Sequence, residues 1–305
     1  MDISVLIGRM AMLSILVALG FLAGKTKILN ADGTKLLSKI IINITLPCSI
    51  LASVLGDNKV LMIGDTVFFL LLSFLSFFIY LTIAFPIMRA LGGEKRSRGL
   101  YCYMAAFSNF LFMGLPLTSA IFGEASAVLV AIYNIPFSVL TFTIGVYMIS
   151  GKRAKFEPKV LINPPTIAAF LAVAIITINV EAPAFIADTL SIAGGMTTPG
   201  AMLVVGGTMA LAPFRDMFSK WRLYPVTALK LIIMPVVIWL IFRQFNISEL
   251  MLGVLVVISA MPVAATSTMF AIEFGGDEQL TSAGVAMTTL LSLITIPLIV
   301  YLLLL

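Results

Sequence analysis

Histidine is absent from this 305-residue sequence, and that gap removes the commonest general base and transition-metal ligand. There is no HExxH motif, no paired-aspartate metal motif and no serine beside an evident base, so a metal or nucleophile mechanism lacks its usual parts. The sequence reads as a non-enzyme with no cofactor and no metal. Cysteine is nearly absent too. Cys48 and Cys102 both fall in or near apolar segments, show no ligand or redox spacing, and read as small buried thiols. Charge is the third shortage, at 11% of residues against ~25% in an ordinary soluble domain.

What remains is apolar: 61% of residues are hydrophobic and the mean hydropathy is +1.13. Each membrane-spanning helix needs about 20 residues, so roughly ten spans with short loops use nearly the whole chain. The expected fold class is therefore an all-α polytopic membrane protein. A net charge of +5 suggests nucleic acid only until the charges are placed. Basic residues gather in short loops, as the positive-inside rule requires, and no nucleic-acid partner is expected. Asp2 precedes the first apolar run while Lys25 and Lys27 follow it, the reverse of a secretory signal, so the first helix is expected to be retained.

The ten runs are about Ile3 to Ala23, Leu36 to Leu55, Asp65 to Met88, Ala106 to Gly123, Ala127 to Ile149, Pro164 to Val180, Ile186 to Leu211, Tyr224 to Phe242, Leu250 to Phe274 and Ser282 to Leu305. With the start outside, the inner loops hold Lys25, Lys27, Lys35, Lys39, the cluster Arg89 to Arg98, the cluster Lys152 to Lys159, and Arg215, Lys220 and Arg222. The outer loops hold only Lys59 and Arg243. This bias predicts ten spans in the cell membrane with both termini extracytoplasmic. Arg9 and Lys230 fall inside helices. Arg9 either faces protein or water, or snorkels outward; Lys230 either pairs with an anion or snorkels inward, and the second is the expectation for it.

The basic loop at 151–162 divides the chain into residues 1–150 and 163–305, five helices each. An odd number per half sends the second half into the membrane from the opposite side, giving two inverted five-helix repeats. Prolines keep a common order in the two halves: Pro47 and Pro199 in the second helix, Pro86 and Pro235 in the third, breaks in the fourth, and Pro136 and Pro297 in the fifth.

The fourth helix of the chain, AFSNFLFMGLPLTSAIFG from Ala106 to Gly123, carries Asn109, Gly114 and Pro116 near its middle. The ninth is interrupted at Met261 and Pro262. Irregular backbone at membrane depth is tolerated only against protein or a watery cavity. Crossed near the midplane, two such breaks present half-helix N-termini and free amides to an anion. Asn109, Phe110, Met113, Gly114, Pro116, Met261, Pro262 and Val263 are the candidate substrate residues. Asp65, Glu124 and Glu273 are candidates for ion coupling or support, each near a helix end where solvation is the ordinary explanation. The plainer alternative is that the prolines kink packed helices and Asn109 bonds a neighbour.

SNFLFMGLPL at Ser108 to Leu117 followed by FGE at Phe122 to Glu124, and MP at Met261 and Pro262 followed by FAIEFG at Phe270 to Gly275, resemble the auxin efflux carrier family. NITLP at Asn43 to Pro47 and TIPL at Thr295 to Leu298 are also similar to it. The resemblance spans essentially the whole chain. It implies a scaffold of helices 1, 2, 6 and 7, a mobile domain of helices 3 to 5 and 8 to 10, elevator-type transport, and a homodimer through the scaffold. It also implies a carboxylate substrate at Asn109, Gly114, Pro116 and Pro262. Plant members differ at Phe69, where they have lysine, and in a second proline at the ninth-helix break, where this chain reads Val263 to Ser267. The short central loop resembles the compact bacterial branch, associated with malonate, malate and related acids.

The sequence therefore predicts a carrier for a small organic anion, a carboxylate such as malonate, malate or an auxin-like indole acid. The other reading is a non-transporting sensor or a lipid- or sterol-binding receptor on the same fold.

Overall fold

In the computed structural model, residues 3–55, 63–92, 95–150, 162–178, 182–211, 217–274 and 276–304 are described. Lys59, Lys152, Arg153, Lys155, Lys159, Arg215 and Gly275 lie outside them, as does the side chain of Glu273. Among the described residues the regular elements are all helices: α1 (Ile3–Lys25), α2 (Ala31–Ile40), α3 (Leu46–Leu55), α4 (Ile63–Ala90), α5 (Lys95–Ala106), α6 (Leu115–Phe122), α7 (Ser126–Leu140), α8 (Val146–Ser150) and α9 (Pro164–Ile178). They continue with α10 (Ala184–Gly195), α11 (Thr197–Leu211), α12 (Leu223–Ala228), α13 (Met234–Phe242), α14 (Glu249–Ala260), α15 (Thr266–Glu273) and α16 (Glu278–Leu304).

Several neighbours join through a single π-helical turn, and proline explains three of these joints. Ile41–Thr45 precedes Pro47, Phe110–Gly114 precedes Pro116, and Leu229–Ile233 precedes Pro235. Proline lacks an N–H and crowds the carbonyl four residues back, which is Asn43, Phe112 or Leu231. A turn bonded five residues apart relieves that crowding and keeps the chain helical. The amides of Leu46 and Met234 accordingly donate to Ile41 and Leu229. In hydrocarbon, where no water can take over a freed group, this repair is obligatory.

Among the described residues, seven helices are long and apolar enough to cross a membrane: Ile7–Lys25, Ala31–Leu55, Gly64–Ala90, Ser126–Ile149, Ala184–Leu211, Leu223–Phe242 and Glu278–Leu304. Phe110–Phe122, Pro164–Ile178 and Glu249–Ala260 are apolar but shorter. The runs read as fourth and ninth fall short because each is interrupted. Outward-facing apolar side chains such as Ile15, Phe78, Phe170 and Ile294 are more than half exposed, the surface expected of a multi-pass protein whose solvent is lipid.

The chain forms two compact units, and neither is a contiguous half. The first gathers residues 1–73, 111–136 and 158–211. In it α1 lies along α11 through small residues. A Cβ at Gly20 would stand 2.5 Å from the Leu203 carbonyl oxygen, and one at Gly206 would run into the Val17 carbonyl, so the backbones meet directly, as small residues allow in membranes. The Thr197 hydroxyl donates to Thr45 Oγ1 at 3.0 Å. Asn134 on α7 donates to Asn163 Oδ1 and Thr166 Oγ1 at the start of α9.

The second unit gathers residues 74–110, 137–157 and 212–305. Here α16 runs against α12, α13, α14 and α15. Asp277 caps α16, its Oδ1 accepting from the Leu280 amide at 2.9 Å. An aromatic core fills the unit: Phe107 stacks on Tyr103 at 4.4 Å and meets Phe77 and Phe137 at 5.5 and 5.7 Å.

Candidate functional site

The site is assembled within the second unit, where two interrupted helices pair. After α5 the chain leaves the helix at Phe107, and after α14 it leaves at Met261, whose ψ of 147° is extended. Pro262 dictates the second exit, because proline disfavours a helical conformation in the residue before it. The two extended pieces then satisfy each other. The Asn109 amide donates to the Pro262 carbonyl at 2.8 Å, the Ala264 amide donates to the Phe107 carbonyl at 3.0 Å, and Ser108 faces Val263 as an antiparallel pair. The Val263 amide donates sideways to Thr288 Oγ1 of α16 at 3.1 Å. Polar backbone is thereby stabilised deep inside apolar helices, which requires such partners.

Two polar side chains are left over at this pairing. Asn109 is 6% exposed, and among the described residues its side-chain amide has no hydrogen-bond partner. Lys230 is 0% exposed; its Nζ donates to Ser108 Oγ at 2.5 Å and sits 5.4 Å from the centroid of the Tyr80 ring. The snorkelling expected of Lys230 is thus overturned. Its stem leaves the π-helical turn Leu229–Ile233 on the buried side, and the side chain ends on Ser108. The signal in the sequence was Pro235, since the turn that repairs the proline also sets the direction of residue 230.

The sequence-derived candidates divide between the units. Asn109, Phe110, Met261, Pro262 and Val263 belong to the second unit, and all five are buried. Met113, Gly114 and Pro116 belong to the first, in the π-helical turn and the opening turn of α6. Asp65, half-buried, lies in the first turn of α4, and Glu124, exposed, follows the left-handed Gly123 at the end of α6. Glu273 is the last residue of α15. Arg9 faces protein: its Nη1 donates to the Ala120 carbonyl in the last turn of α6, where the helix dipole favours a cation. Among the described residues no three His, Cys, Asp or Glu side chains converge as a metal site.

Buried polar groups held between broken apolar helices are the arrangement of a multi-pass membrane transporter, and comparison with known proteins agrees. A family model described as "Membrane transport protein" matches residues 5–300. The chain belongs to that family, the auxin efflux carrier family its motifs resemble. It is 24% identical over 306 residues to the uncharacterized transporter YfdV of Escherichia coli K12, covering 97% of this chain and 96% of that protein. It is 27% identical over 293 residues to an uncharacterized transporter of Methanothermobacter thermautotrophicus, covering 93% and 94%. A putative malonate transporter of Rhizobium meliloti is 24% identical over 211 residues, covering 66% and 65%.

Proposed function

We propose that the protein carries a small carboxylate across the cell membrane, binding it where the two interrupted helices pair. The observation that carries this reading is the Asn109 side chain, buried and among the described residues without a hydrogen-bond partner, on the same paired segment as Ser108, which a lysine that no carboxylate of the described residues balances contacts. A substrate carboxylate accepts from the Asn109 amide and supplies the absent negative charge, while Phe110 and Met261 offer apolar contact. The named function of the Rhizobium meliloti relative points to malonate as the first acid to try.

The family resemblance adds the mode of action. Helices 3 to 5 and 8 to 10 slide against a scaffold of helices 1, 2, 6 and 7, the scaffold pairs two copies, and the two inverted repeats supply the alternation between sides. The loop charges favour both termini outside the cytoplasm; cysteine labelling at each end in whole cells checks this, and light scattering in detergent checks the dimer.

The deciding experiment is thermal stabilisation of the purified protein by malonate, malate and indole-3-acetate, repeated with Asn109→Ala. An acid that stabilises only the unmutated protein supports the site. Stabilisation by a sterol or lipid and by no acid supports a receptor in its place.

A further inference from the structure

The turn that holds Lys230 does not require a lysine. Leu229–Ile233 is closed by its own backbone, and the flanking Leu229 and Leu231 are buried apolar residues. An apolar side chain at position 230 would avoid the cost of a buried charge, which is high in a low-dielectric interior. The lysine instead reaches one hydroxyl and one ring face. These occupy at most two of the three donors of an ammonium and bring no formal negative charge.

Among the described residues no carboxylate bonded to Nζ supplies that charge. Of the elements packed against this turn, α12 carries Tyr224, α13 carries none, α14 carries Glu249 at its first residue, and α16 carries Glu278 at its first residue and Tyr301 near its end. On α5 stand a basic first turn and Tyr101, Cys102 and Tyr103, and α4 presents Tyr80 and carries Asp65 in its first turn and Arg89 in its last. No carboxylate among the described residues bonds to Nζ. A protonated amine here is an unbalanced charge, whereas a neutral amine is not. Ser108 and Asn109 are carried on one segment of the paired breaks, and a carboxylate bound at those breaks balances that charge. The dependence is reciprocal: the anion favours the proton, and the proton favours the anion to the same degree.

We propose that Lys230 is the proton-coupling residue of this carrier, loading one proton on Nζ with each carboxylate bound at the paired breaks and releasing the two together. The proposal rests on the anion-site reading given above. On loading, the lone pair of the neutral Nζ takes a proton from water on the side the site faces, and Ser108 Oγ accepts one of the resulting N–H bonds. On unloading, that proton returns to water on the other side as the anion departs. No bond of the substrate is made or broken.

The test uses the full-length protein in liposomes containing a trapped pH-sensitive dye, in sodium-free buffer with the membrane potential clamped at zero. Radiolabelled malonate and malate are offered outside at a lower pH than inside, for the unmutated protein and for Lys230→Met. The expected result is accumulation of about tenfold per pH unit, the ratio one co-transported proton sets, with acidification of the dye. Lys230→Met should lose both responses while melting at or above the temperature of the unmutated protein. Uptake without a dye response, uptake that needs sodium, or a mutant that keeps the gradient response overturns the coupling. If Lys230→Met does not fold, Lys230→Gln takes its place, and a folded variant at position 230 that keeps the gradient response overturns the assignment to Lys230. Uptake of neither acid also overturns the coupling, and the thermal-stabilisation panel separately decides whether an anion binds at all.

Discussion

The Asn109 amide and the Pro262 carbonyl, 153 positions apart in sequence, are joined by a 2.8 Å hydrogen bond. Each residue stands where its own helix has stopped. The freed backbone groups of one break are therefore the partners of the other, which lets both interruptions persist in an apolar interior. A side chain carried on such a segment is held by two helices at once, and Asn109 and Ser108 are both carried there.

The pairing leans on α16 through Thr288. The Val263 amide is buried and its acceptor is Thr288 Oγ1, which itself donates to the Gly284 carbonyl at 2.8 Å. Thr288→Val keeps the shape and leaves that amide unsatisfied, at a cost of about 1–3 kcal/mol. Thr288→Ser keeps the hydroxyl and should cost less. Thermal melts of both variants in one detergent check the order, and a Val variant as stable as the parent would remove Thr288 from the support of the break.

The contact between α1 and α11 makes a different demand, on volume. A Cβ at Gly206 would meet the Val17 carbonyl and the Phe21 amide nitrogen, the latter at 2.6 Å, and backbone cannot rotate away. Gly206→Ala should destabilise by about 1–3 kcal/mol, as overpacking does. Gly195, at the end of α10, has nothing within 4 Å of the same atom, so Gly195→Ala should be neutral or stabilising by up to ~1 kcal/mol. Equal melting temperatures for the two variants would contradict this close contact.

Asn163 ties α7 to α9. Its Oδ1 accepts from the Thr166 amide at 3.0 Å and from Asn134 Nδ2 at 3.2 Å. Asn163→Ala removes the cap, a loss of about 1 kcal/mol, and should speed amide exchange at Thr166 and Ile167. Asn163→Asp keeps an acceptor for both donors and should preserve the protection. Hydrogen-exchange mass spectrometry on a peptide covering residues 162–172 reads both outcomes.

Much of this molecule follows from composition alone, because a bilayer leaves the backbone so few choices. A chain with apolar runs of about 20 residues and so few charges folds as membrane helices, and prolines at 47, 116 and 235 mark where those helices need repair. The breaks near Asn109 and at Pro262 were legible for the same reason. Proline, glycine and asparagine close together inside a long apolar run mark a place where the helix needs outside partners for its freed backbone groups. What the sequence left undecided is everything that depends on which break faces which neighbour. That Ser108 pairs with Val263, and that Thr288 takes the Val263 amide, are consequences of how α5, α14 and α16 pack. Lys230 is the clearest case. Its spacing from the helix end permits snorkelling, and only the direction of the π-helical turn, with Ser108 and Tyr80 on the buried side, turns the charge inward onto the paired breaks.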